Sequence, residues 1–151
     1  MIALTSAVLG FEVPPPAPAI GRYASFVMHG GIVAIVQGPL WGAELRYVGR
    51  VGDTVGIEVA EEAARLCCAN LLVQLRQACE GDLGRVRCCY RLGGFINAVP
   101  SFSAHSQVMN AASETLLSVL GGTARHSRHV VGCSSLPFNL VMELEGWFAV
   151  A

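Results

Sequence analysis

Between Glu58 and Glu80, the residues Ala60, Ala64, Cys67, Leu71, Leu75 and Ala78 recur at spacings of three and four, one apolar stripe down a long helix. Glu58, Glu61 and Glu62 suit the positive N-terminal end of that helix, and Gly81 is placed to stop it. The stripe is built mostly of small residues, so the helix can lie close against a sheet. A chain with such an element must supply an apolar sheet face for it.

The strands that could do so are legible. Arg22–His29 and Ile32–Gln37 are β-rich runs joined by Gly30-Gly31, a two-residue hairpin turn. Glu44–Val51 reads as an additional short strand. Arg85–Asn97 is a long strand, with Val86, Cys88, Tyr90 and Leu92 alternating against Arg85, Arg87, Cys89 and Arg91. A second helix runs from about Ser103 to Leu120 on a stripe of Val108, Ala112, Leu116 and Val119. Arg128–Ser134 and Leu140–Ala149 close the chain as strands joined through Leu136-Pro137. The order ββ(β)αβαββ gives an α+β domain, a sheet with two helices on one face. Pro14-Pro15-Pro16 and Pro18 make Phe11–Ala19 an extended run within a Pro-rich lead, residues 1–20, leaving residues 21–151 as one compact domain.

Composition removes several function classes. All ten basic residues are arginine, so lysine Schiff-base chemistry is excluded. A net charge of −1 offers no footprint for a nucleic acid or an anionic membrane. Hydrophobic residues make up 53% against 14% charged, greasy for a lone monomer, so self-association is expected. No signal peptide and no membrane-spanning run is read, which points to a cytoplasmic protein. Cys67-Cys68 and Cys88-Cys89 are adjacent pairs that fit neither a zinc spacing nor a CxxC motif, and they read as reduced packing thiols. His126 and His129 lack a third ligand at useful spacing, so no metal is expected.

The chemistry-bearing segment is Arg128–Pro137, leading into a last strand that carries Glu143 and Glu145 among apolar residues. A guanidinium holds a carboxylate through two parallel hydrogen bonds. A carboxylate on an apolar strand can have its pKa tuned for proton transfer. Glu143 and Glu145 face the same side of an ideal strand, so either could serve. If the last two strands form a simple hairpin about Pro137, Arg128 pairs nearer Trp147 and lies ~13 Å from Glu143 along the strand.

Pro14–Tyr23, Gln37-Gly38-Pro39, Tyr47–Gly52, Glu61–Arg65, Gly94–Asn97, Asn110 and Arg128…Leu136-Pro137…Glu143-Leu144-Glu145 resemble the YjgF/YER057c/UK114 (Rid) family, in this order and over nearly the whole chain. The similarity is greatest to its longer branch with a Pro-rich N-terminus. The resemblance implies a chorismate-mutase-like homotrimer with ligand clefts between subunits. It also implies hydrolysis of reactive enamines and imines to 2-keto acids and ammonia, without metal or cofactor. Residue by residue, it implies that Arg128 and the Val130 backbone N–H hold a substrate carboxylate and that Glu143 positions water. Tyr23 would line the cleft, and Asn110 is a family asparagine on the second helix. From the residues alone, Tyr23 reads as a packed strand aromatic before a catalytic part, and Asn110 as a backbone-bonding residue at a helix–loop junction. Val36, Val130 and Arg22 depart from the family's usual glycine, cysteine and proline. A binding module for small carboxylic acids and a ribonuclease are the competing functions.

Overall fold

The computed structural model describes all 151 residues. A short helix α1 (Ser6–Leu9) precedes the hairpin of β1 (Phe26–His29) and β2 (Ile32–Gln37). The small hairpin β3 (Leu40–Trp41) and β4 (Glu44–Leu45) follows, then the long helix α2 (Ile57–Ala78). The order closes with β5 (Val86–Asn97), α3 (His105–Leu120), β6 (Ser127–Cys133) and β7 (Met142–Val150). One five-stranded sheet has the order β1-β2-β7-β5-β6, antiparallel except for the parallel pair β5–β6. The α+β reading stands, with α2 and α3 packed on one face.

The stripe of α2 behaves as its spacing dictates. Ala60, Ala64, Cys67, Leu71 and Leu75 have no exposed surface. They meet Val33, Leu92, Leu144 and Phe148 of the sheet in one core cluster. Each fully buried leucine contributes roughly 1.5–3 kcal/mol. The helix ends at Ala78, three residues before the expected glycine. Glu80 takes the left-handed conformation (φ 55°), while the N–H of Gly81 bonds the carbonyl of Arg76 and that of Glu80 bonds Gln77. Those two reverse bonds are the Schellman stop, with a glutamate in the seat usually taken by glycine.

The Gly30-Gly31 turn forms as read, both glycines at positive φ and His29 opposite Ile32. Two expectations are corrected. Strict alternation along β5 fails because register shifts fall between Val86 and Cys88 and between Cys89 and Arg91. The shifts bury Cys89 and expose Tyr90. Second, β6 and β7 do not form a hairpin about Pro137. β7 passes between β2 and β5, and β6 lies parallel to β5 on its far side, reached through α3 as a crossover.

The proline lead is packed. Leu4 and Ala17 are buried, and Gln74 on α2 donates its side-chain N–H to the Ala17 carbonyl at 3.1 Å. Asn70, one turn earlier, donates to the carbonyls of Gly38 and Leu40 at 3.1 and 2.7 Å. Two buried amides on α2 thus tie down the lead and the turn after β2.

Candidate functional site

The two faces of the sheet divide the candidate residues. Leu92, Gly94 and Ile96 of β5 point toward the helices; a Cβ on Gly94 would meet Met109 of α3 and Val130 of β6. Gly93 points the other way, where a Cβ would collide with His129 and Glu145. Arg128 and Val130 therefore lie on the helix side of β6. Glu143, Glu145 and Trp147 lie on the open side of β7.

Arg128 is held against α3. Its Nη1 donates to Ser113 Oγ at 3.0 Å, and its Nη2 donates to Asn110 Oδ1 at 2.7 Å and to the Ser106 carbonyl at 3.3 Å. Three of the five guanidinium N–H groups are thereby used, leaving two for a ligand. Ser113 is itself bonded at 2.9 Å to His126 Nε2, while His126 Nδ1 meets the Ala124 carbonyl. A carbonyl only accepts, so Nδ1 carries a proton, and in the neutral ring Nε2 accepts from the Ser113 hydroxyl. The chain His126–Ser113–Arg128 fixes the direction of the fork. Asn110 lies inside α3, bonding a side chain and not the backbone at a helix end. The sequence does not mark Ser113 and His126 as site residues: a serine inside a helix gives no signal, and His126 reads there as part of a basic run or a metal hint.

On the open face, the lead, β2, β7 and the loop before β7 enclose a cavity of 660 Å³. Tyr23 and Glu143 both line it, together with Val36, Phe138 and Trp147. Tyr23 is not part of a strand. It sits in the bend before β1, 58% exposed, with its hydroxyl oxygen accepting from the Ile20 N–H at 3.3 Å. No Lys, Arg or His is among the lining residues. Glu145 is ion-paired with Arg91 at 2.6 Å, whereas Glu143 has neither a cation nor a hydrogen-bond donor. Burial pushes the Glu143 carboxyl above its ordinary pKa.

Within one chain the structure brings Tyr23 and Glu143 together, and separately Arg128, Asn110 and Val130. It does not unite the two groups. Arg128 aligns with Leu92 and Gly146, and Glu143 aligns with Phe95 and Val131. That offset is three residues along the strands, ~10 Å, and two strand spacings across, also ~10 Å, on opposite faces. The sequence expectation of a separation within one hairpin is replaced by a separation through the sheet. No three His, Cys, Asp or Glu side chains come together to hold a metal, and no helix is long and apolar enough to cross a membrane.

Residues 4–149 match the family described as "YjgF/chorismate mutase-like, putative endoribonuclease". The chain belongs to the YjgF family. TCP17 of Trypanosoma cruzi is 35% identical over 140 residues, 91% of this chain and 86% of that protein. The YjgF fold is equally plain in solved structures. Atu1372 of Agrobacterium tumefaciens, of unknown function, superposes with a TM-score of 0.88 at 33% identity, covering 97% of this chain and 93% of its own. The E. coli YjgF gene product superposes at 0.60 with 20% identity, over 91% and 96% of the two chains. The second likeness is one of fold: a chorismate-mutase-like sheet and helix pair.

Proposed function

We propose that this YjgF protein hydrolyses the imine or enamine forms of 2-amino acids to 2-keto acids and ammonia, in a cleft completed by a second copy of the chain. The observation that carries the reading is the division of the site. An anion-gripping arginine is oriented on one face, and an unpaired, partly buried carboxylate waits in an apolar cavity on the other. A homotrimer would set the Arg128 surface of one protomer over the Glu143 cavity of the next. Exposed Val131, on the open face outside the cavity lining, supplies apolar area for such a contact.

The chemistry follows from the groups present. Arg128, kept in line by Asn110 and Ser113, takes the substrate carboxylate, assisted by the Val130 N–H on the same edge strand. Glu143 accepts a proton from water as the water oxygen bonds to the C=N carbon. The hydroxyl of the tetrahedral adduct then passes its proton to nitrogen, and the C–N bond breaks to release ammonia as the keto acid forms. The ammonia takes the proton held by Glu143, which leaves ammonium and restores the carboxylate. One iminium and one water give one keto acid and one ammonium, so no metal, redox partner or cofactor enters. Tyr23, in the same cavity, orients the water or the departing nitrogen through its hydroxyl.

Some relatives carry endoribonuclease in their names. Here the cavity lacks a cation and the chain carries net charge −1, which supports a small substrate over a polyanion. The test is ammonia release when an amino-acid oxidase generates the imine in the presence of the protein. Faster release than the spontaneous rate, lost in Arg128→Ala, supports the proposal. Keto-acid binding with no acceleration would leave a binding module in its place.

A further inference from the structure

Phe138 is the large apolar side chain hardest to explain as packing. It is 58% exposed, and its backbone is left-handed at φ 57°, followed by Asn139 at φ 55°. A bulky residue rarely adopts that conformation, and it persists only where surroundings over-determine it. They do so here. Asn139 Oδ1 accepts from the buried Asn97 at 3.0 Å, its carbonyl accepts from the Gly49 N–H at 2.8 Å, and its N–H donates to the Leu136 carbonyl at 3.1 Å. The strained turn brings Phe138 to the wall of the cavity that holds Glu143, which Ala17–Ile20 of the lead also line.

The rest of that wall is also fixed and apolar. Gln74 holds the lead at Ala17, and Asn70 holds the turn through Gly38 and Leu40. Ile20, Val27, Leu40 and Trp147 add apolar surface, and 13 of the 20 lining residues are hydrophobic. A cavity of 660 Å³ is far larger than a three-carbon acid needs and falls in the range of pockets for drug-sized ligands. Its only ionisable groups are Tyr23, Glu143 and the Arg91-paired Glu145.

We infer that Phe138 is a specificity-determining residue and that the substrates are 2-imino acids with a bulky apolar side chain, of the branched-chain or aromatic class. The side chain lies between Phe138 and the proline lead, the cationic imino nitrogen faces Glu143, and the carboxylate points out of the cavity toward Arg128 of the neighbouring copy. The inference rests on the imine-hydrolase reading for its chemistry, but the shape and lining of the cavity are independent of turnover.

The experiment has two arms, both on the full chain. In the first, an amino-acid oxidase supplies imines from alanine, leucine and phenylalanine, and kcat/KM is measured for the parent and for Phe138→Gly, which tolerates φ 57° without strain. The parent is expected to favour the leucine or phenylalanine imine over the alanine imine at least about tenfold. Phe138→Gly should shrink that ratio about threefold or more. A parent that prefers the alanine imine, or a variant that slows all imines equally, overturns the inference. The second arm measures binding of 4-methyl-2-oxopentanoate against pyruvate by calorimetry. If no imine is turned over, the hydrolase reading falls alone when the longer keto acid binds more tightly and Phe138→Gly removes the difference. Equal binding of the two acids, or none of either, overturns the specificity assignment.

Discussion

Glu143 and Glu145 stand two residues apart on one face of β7, yet only Glu145 has a cation. Arg91, across the strand pair on β5, takes Glu145 at 2.6 Å and leaves Glu143 alone in the apolar cavity. The sequence offered these two carboxylates as equivalents. Neighbours from a distant strand separate them into an ion-paired group and an unpaired one.

Glu143→Gln is expected to keep keto-acid affinity and lower kcat by at least about a hundredfold, since the amide preserves shape and loses the base. Glu145→Gln frees Arg91 instead. Its main effect should be a stability loss of no more than about 1 kcal/mol, because the pair is partly solvent-exposed. Single-turnover kinetics and urea melts of the two variants separate these outcomes.

The raised pKa of Glu143 fixes the sign of two pH effects. As a base it works when ionised, so kcat should fall on the acid side with an apparent pKa above the ordinary carboxylate value. In stability, the folded chain holds this proton more tightly than the unfolded chain. The contribution is therefore fully present below the unfolded pKa and is lost as pH rises through the folded one. Glu143→Gln should match the parent in urea near pH 4 and exceed it at pH 7. A parent at least as stable as the variant at pH 7 would contradict the burial argument.

Arg128→Ala should weaken 2-keto acid binding at least about tenfold, the loss of a charge-assisted contact worth ~1.5–3 kcal/mol. Lys should rescue only in part, lacking the planar fork. Ser113→Ala leaves the arginine in place but removes one of its anchors and the partner of His126. Affinity should drop less, and stability should fall by about 1 kcal/mol. Calorimetry with denaturant titration checks both.

In solution, light scattering at micromolar concentration should return three times the 15.9 kDa chain mass. A stable monomer would leave Arg128 and Glu143 on opposite sides of a sheet with nothing to join them, and the hydrolytic proposal would fall with it.

Thiol labelling should divide the six cysteines. Cys67, Cys68, Cys79 and Cys89 are buried, and burial holds the Cys89 thiol up at about 12. Cys88 and Cys133 are partly exposed. Native protein should take up two maleimide groups quickly and the remaining four only on unfolding. Rapid labelling of all six would contradict the packing of α2.

Local pattern carried most of the elements. The period of α2, the paired glycines of the first hairpin and the stripe of α3 are properties of short segments, and each formed near its expected bounds. What failed was non-local. Nothing in Arg128–Ser134 says that its partner is β5, because a parallel neighbour arrives through a crossover helix and leaves no turn signature. The shifts in β5 reversed the roles of Cys89 and Tyr90 because a bulge is set by the partner strand. Arg128 and Glu143 were legible as residue types, while the faces they occupy depend on the register of three strands. Ser113 was silent because a hydroxyl on a helix reads as surface until its partners are known.

The proline lead has a consequence for how a ligand is received. Pro14, Pro15, Pro16 and Pro18 hold φ near one value whether or not the chain is folded, and Gln74 pins the segment at Ala17. One wall of the cavity is thus stiff before anything enters it. A ligand arriving there need not freeze a mobile loop, and little of its contact energy is lost to ordering protein. Replacing Pro14, Pro15 and Pro16, which do not line the cavity, with glycine would leave its wall intact and still loosen the grip, through slower capture and faster escape.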